Sequence, residues 1–205
     1  MINHLKPTID TYLKLLLMLL VASLISACAS KAKKPEIVIT PNAETSKPVL
    51  SPENQAEYKK ALGLMKVKSW GQAEEIFKQL LSVNPKLAGA YVNLALISQA
   101  KKEDSQAQAN YRKALEINPN NVAALIQLAA YSQKAGEFKV VEKYLLTAEA
   151  IDNANATVQY NLAVLYELYL QQYDDAIDHY ENYVSLSSND DVETVKRWIM
   201  LLERK

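Results

Sequence analysis

Ala61, Ala95, Ala129 and Ala163 follow one another at intervals of 34 residues. The best-formed copy of the pattern around them is Ala88–Asn121, where Tyr91, Leu94, Ala95, Ala107, Tyr111, Ala114 and Pro119 stand at helical spacings. Its physical sense is packing: Ala95 and Ala107 let two helices approach closely, while Tyr91, Leu94 and Tyr111 fill the space around them. Pro119 then stops the second helix, because a proline ring fits neither the helical hydrogen bond nor the preceding turn. Everything after Ser51 can be laid over this stretch. The chain has four glycines and no sustained alternation of β-branched residues, which argues against a sheet.

These residues resemble the tetratricopeptide repeat, a helix–turn–helix unit of about 34 residues. The resemblance implies an all-α fold: a right-handed superhelical solenoid of about four units, at 53–87, 88–121, 122–155 and 156–189, with a capping helix over 190–205. Ser51-Pro52-Glu53 reads as the first helix start, with Ser51 as N-cap. In unit 1, Ala61 is the small residue of helix A, Ala73, Phe77 and Leu80 face inward from helix B, and Trp70-Gly71 marks the turn. Glu57 stands where a large residue is usual. Unit 3 keeps Leu128, Ala129, Gly136, Phe138 and Ala148, but has Val141 for Ala and Asn153 for Pro. Val141 is expected to splay its helices and widen the groove. Unit 4 keeps Leu162, Ala163, Tyr166, Tyr173, Ala176, Tyr180 and Tyr183, gains one residue near Leu170–Gln172, and lacks the usual turn Gly. An altered turn is expected there. In the cap, Val192, Val195, Ile199 and Leu202 form the apolar stripe, Asp190 or Asp191 the N-cap, and Trp198 is expected to be buried.

Stacked units present a concave face lined by the A helices, and the family's groove positions fall on named residues. They are Tyr58 and Leu62 in unit 1, Val92, Asn93 and Leu96 in unit 2, Ile126, Gln127 and Ala130 in unit 3, and Tyr160, Asn161 and Val164 in unit 4. An apolar row edged by amides suits an extended peptide or an amphipathic helix, or else Asn93 and Asn161 are there for the fold alone. The carboxylate clamp of chaperone-binding members needs several Lys and Arg at these sites, and Lys59 alone is too little.

The N-terminus follows a different logic. Lys6 and Lys14 precede an apolar run from Leu15 to Ile25, too short for a comfortable membrane span and suited to a signal peptide over residues 1–27. Ile25-Ser26-Ala27-Cys28 resembles the lipobox of bacterial lipoproteins, which implies a diacylglycerol thioether (and palmitate) on Cys28, the sole cysteine; the alternative is an uncleaved anchor. That leaves no thiol for a disulfide or a cysteine metal site. Ala29 in place of Asp favours the outer membrane by the family rule, facing the periplasm, with the inner membrane as alternative. Residues 28–52 contain Pro35, Pro41, Pro48 and Pro52 among lysines and read as a tether spanning on the order of 25 Å, with Ile37-Val38-Ile39 its one apolar run.

Chemistry is scarce. His4 lies in the signal, and His179 beside Asp178 and Glu181 reads as a solvated helix-face residue rather than a metal ligand or base. Carboxylate pairs Glu74-Glu75 and Asp174-Asp175 are explained by helix N-termini. No phosphate loop or Ser-His-Asp order is found. Basic and acidic residues balance at 23 each, so charge points to no nucleic-acid partner. The expectation is a non-catalytic scaffold without metal or cofactor, lipid-anchored in the envelope, holding a peptide or helix of a secretion, pilus or cell-wall assembly. Its architecture resembles the pilotin-type lipoproteins of type IV pilus systems. Alternatives are a ligand-binding or enzymatic accessory module with a site outside the groove, and a self-associating structural lipoprotein, hence a homo-oligomer.

Overall fold

The computed structural model describes residues 50–188 and 191–204; the signal peptide, Cys28, most of the tether and Asp190 lie outside them. Helix α1 is Pro52–Lys66, α2 Trp70–Val83, α3 Ala88–Ala100, α4 Asp104–Ile117, α5 Val122–Lys134, α6 Phe138–Ile151, α7 Ala156–Val164, α8 Tyr173–Leu186 and α9 Val192–Leu202. A π-helical segment, Leu165–Leu170, continues α7. No strand occurs among the described residues, and none of their helices is long and apolar enough to cross a membrane. The architecture is an all-α tetratricopeptide-type superhelical solenoid: A helices α1, α3, α5 and α7, B helices α2, α4, α6 and α8, and the cap α9.

The helices start where local chemistry dictates. The Oγ of Ser51 accepts from the Asn54 amide at 3.2 Å, Asn121 Oδ1 from Ala124 at 3.0 Å, and Asn155 Oδ1 from Val158 at 3.3 Å. Each satisfies an amide that the first helical turn leaves without a partner. Pro85 and Pro119 follow α2 and α4 after Asn84 and Asn118, whose side chains accept from the amides two residues on. Trp70 opens α2 and is not part of the turn, which is Val67-Lys68-Ser69.

The core is divided along the solenoid axis. Ala61, Phe77, Leu80, Ala90 and Ile97 form one cluster across α1–α3, and Ala95, Ala107, Tyr111, Ala124 and Leu128 a second across α3–α5. The third runs from Leu125 on α5 to Leu202 on α9. Each cluster is completed by the next unit, as expected where stability is a sum of nearest-neighbour contacts. The recurrent alanines 61, 73, 95, 107, 163 and 176 are fully buried, so a larger side chain there would push two helix axes apart. Glu74 also joins neighbours: it pairs with Lys78 on its own helix and with Lys101 at the end of α3. Those two lysines hold its carboxyl below the usual range. Glu74 lies beyond the first turn of α2, and this bridge, not the helix dipole, accounts for it.

The A-to-B turns repeat one device. Lys68, Lys102, Gly136 and Gln171 have φ of 59°, 63°, 75° and 54°. In units 1 to 3 the next amide reaches back five residues, from Ser69 to Leu64, Glu103 to Ser98 and Glu137 to Ser132, at 2.9 Å each. In unit 4 it reaches back six, from Gln172 to Tyr166 at 2.9 Å. The added residue is absorbed by widening the end of helix A into a π-turn, and the left-handed residue still ends the helix.

Candidate protein-binding face

The predicted groove positions fall into rows separated by one repeat: Tyr58, Val92, Ile126 and Tyr160, then Leu62, Leu96, Ala130 and Val164, then Asn93, Gln127 and Asn161. The first row is half-buried throughout. In the second, Leu96 is 37% exposed and Ala130 is exposed. Of the helices that carry them, α3 has no charged residue, α5 has Lys134, and α7 with its π-turn has Glu167, whereas α1 carries Glu53, Glu57, Lys59, Lys60 and Lys66.

Several of these residues are brought together, and two of the three amides, Asn93 and Gln127, are engaged within the fold. Asn93 Nδ2 donates to the Tyr58 hydroxyl at 2.7 Å and to the Gly89 carbonyl at 2.8 Å, tying α3 to α1. A Cβ at Gly89 would stand 2.8 Å from the Tyr58 hydroxyl, so a close approach requires glycine here. The ring of Tyr58 meets Phe77 edge-on at 5.3 Å. Burial pushes the Tyr58 hydroxyl up, against the opposing pull of Asn93. Gln127 accepts from Gln99 Nε2 at 2.9 Å, and Gln99 Oε1 accepts from the Tyr111 hydroxyl at 2.6 Å. The structural reading of Asn93 therefore has a direct basis, whereas Asn161 lines a shallow depression with Ile126, Ala130, Gln133 and Val141. Val141 is fully packed beside that depression, between units 3 and 4. Tyr160 lies against Tyr180 and Tyr183, with ring centroids 6.2 and 5.2 Å away.

The cap corrects one expectation and adds two residues. Trp198 is 36% exposed, its ring 5.9 Å from that of Tyr180, and is not buried. The reason is register: the buried trio Val195, Ile199 and Leu202 has the spacing of Val158 and Leu162 in α7 and Leu165 at the start of the π-helical segment. By that match Trp198 takes the place of Asn161 and Leu201, 58% exposed, that of Val164. Trp198 and Leu201 thus stand exposed on the cap, with Arg197 at the place of Tyr160. The sequence signal was available in the offset of the two trios. Asp191 sits at the N-cap position but its carboxylate accepts from the Tyr183 hydroxyl, at 2.8 and 3.0 Å, and caps no amide.

His179 corrects another. It is 6% exposed, and its ring stacks on Tyr166 at 5.4 Å. Gln159 Nε2 donates to Glu149 Oε1 and to the Asn153 carbonyl, both at 3.1 Å, so its Oε1 is left to accept, and His179 Nδ1 donates to it at 2.7 Å. A helical register puts residue 179 inward between Ala176 and Tyr180, which outweighs its polar neighbours in sequence. No group of three or more His, Cys, Asp or Glu that could hold a metal occurs among the described residues.

Residues 88–189 match the family model of the TT21 fifth ARM repeats domain. Comparison with curated protein sequences gives no match. Among solved structures, the chain is similar to pilF of Pseudomonas aeruginosa, with 23% identity and a TM-score of 0.63 over 74% of this chain and 69% of that one. It is similar to MamA, residues 41 to the end, of Desulfovibrio magneticus RS-1, with 17% identity and a TM-score of 0.57 over 76% of this chain and 98% of the other. A tetratricopeptide repeat protein from Parabacteroides merdae gives 17% identity and a TM-score of 0.62 over 75% of this chain and 61% of its own length. At these identities the likeness is one of fold.

Proposed function

We propose that this protein is a non-catalytic scaffold that holds a peptide or helix of an envelope protein along the concave face of its A helices. One observation carries the reading: α3 and α5, with the described rows Val92, Leu96, Ile126 and Ala130, present half-exposed apolar side chains on helices that hold a single charged residue between them. A solvated face with no binding duty would be dotted with Lys and Glu, as the B helices are. With Asn93 and Gln127 engaged inside the fold, the apolar side chains carry the affinity, and Trp198 and Leu201 stand exposed beyond them on the cap. The solenoid fold of its structural neighbours supports protein partners in general.

The sequence supports the finer proposals. Ile25-Ser26-Ala27-Cys28 suggests lipid attachment at Cys28, and Ala29 suggests the periplasmic side of the outer membrane. Metabolic labelling with palmitate is expected to mark the full chain and to miss Cys28→Ser. A pilotin-like role, helping a secretion or pilus assembly, fits this architecture.

The groove test is a pull-down from detergent-solubilised envelopes with the full chain and with Val92→Asp/Leu96→Asp. The double variant is expected to keep its helical circular dichroism and lose its partner. A folded variant that keeps every partner would overturn the groove reading.

A further inference from the structure

The turn edge of unit 4 differs from the other three in shape and in chemistry. At the corresponding place units 1 to 3 carry lysines: Lys66 and Lys68, Lys101 and Lys102, and Lys134. Unit 4 has Leu168 where unit 3 has Lys134, Tyr169 where it has Ala135, and the added Leu170 before left-handed Gln171. The π-turn carries Leu168 and Tyr169 outward, 61% and 41% exposed. Tyr169 stacks on Phe138 of the preceding unit at 4.4 Å, which makes the patch a preformed platform spanning two units.

The surroundings of the platform are acidic. Residues 156–189 contain Glu167, Asp174, Asp175, Asp178 and Glu181 and neither Lys nor Arg. Glu142 accepts from the Tyr166 hydroxyl at 3.1 Å, three residues from Tyr169, and Asp175 lies close enough to add to the raising of that hydroxyl's pKa. Asp174 and Asp178 are exposed on α8; the nearest lysine to them in sequence is Lys196 on α9, and Lys139 directly follows Phe138 on α6.

We propose that Phe138, Leu168 and Tyr169 form a second docking site, outside the concave groove, for a basic amphipathic segment of another protein. Its apolar side chain would cover Leu168 and the Tyr169 ring, and its Lys or Arg would meet the Asp174/Asp175 end of α8. Charge decides the occupant: an anionic membrane surface or an acidic peptide would be repelled here, while a neutral apolar segment would leave the carboxylates unmatched. Arg or Lys over the face of an exposed tyrosine adds a cation–π contact.

The test uses the full chain in phosphatidylcholine nanodiscs, titrated with fluorescent amphipathic helical peptides built of Leu and Lys, or of Leu and Glu, against empty nanodiscs. The Leu/Lys peptide is expected to bind, and Leu168→Lys/Tyr169→Ala, which installs what unit 3 carries, to weaken it about tenfold. In the envelope pull-down the same patch variant is expected to keep the partner held through the groove, which separates the two sites. Equal binding of the Leu/Glu peptide or an unaltered affinity of the patch variant would overturn the proposal. So would concentration-dependent dimerisation abolished by the patch variant, which would assign the platform to a second copy.

Discussion

His179 Nδ1 donates to Gln159 Oε1 at 2.7 Å, across the interior of unit 4. Gln159 in turn holds the Asn153 carbonyl, in the loop where the repeat pattern has proline, so an amide network takes over the ordering of that corner. His179→Ala is expected to destabilise the protein by about 2–3 kcal/mol, from lost stacking on Tyr166, the cavity left behind, and the loss of the shorter of two bonds to Gln159 Oε1, which keeps only the 3.3 Å bond from Asn182. Denaturant unfolding measures it. A change below about 0.5 kcal/mol would return His179 to the surface.

The left-handed turn residues set a second expectation. Lys68 and Lys102 adopt positive φ with a side chain present, which costs about 1 kcal/mol each relative to glycine. Lys102→Gly is expected to raise the melting temperature by about 2–4 °C, less what glycine's freedom in the unfolded chain takes back. Gly136→Ala, at φ 75° with open space around it, is expected to lower stability through backbone strain alone. Thermal scans of the two variants should move in opposite directions.

Alkaline pH supplies a third. Burial raises the hydroxyls of Tyr111, Tyr166 and Tyr180 above the ordinary value of 10.0, and the carboxylates of Glu142 and Glu167 add to it for the last two. With folded values above unfolded ones, their contribution is fully present below pH 10.0 and is lost as pH rises beyond it, because the unfolded chain ionises first. Stability should therefore fall above that pH, with tyrosinate absorbance rising together with loss of helical dichroism. Tyr180→Phe is expected to make the fall shallower, since one linked proton is removed. Ionisation of every tyrosine with helical dichroism intact would contradict it.

The sequence by itself determined the repeat. Alanines at closest approach, capping Ser and Asn, prolines after α2 and α4, and the added residue before Gln171 are local or periodic constraints, readable wherever a side chain's own volume or hydrogen bond decides the backbone. It also marked the groove row as apolar and edged by amides, and so the face on which partner binding is proposed. Only the tertiary structure decided which polar groups look inward. Asn93 reads equally as a ligand-binding amide and as a residue kept for the fold until Tyr58, 35 positions earlier, is seen to accept its hydrogen bond. His179 reads as solvated until Gln159 and Tyr166 close over it. Trp198 reads as buried until the register of the cap turns it outward. For Asn93 and His179 the deciding partner lies on another helix, and its distance is set by the packing of whole units, a quantity that no single stretch of the chain contains.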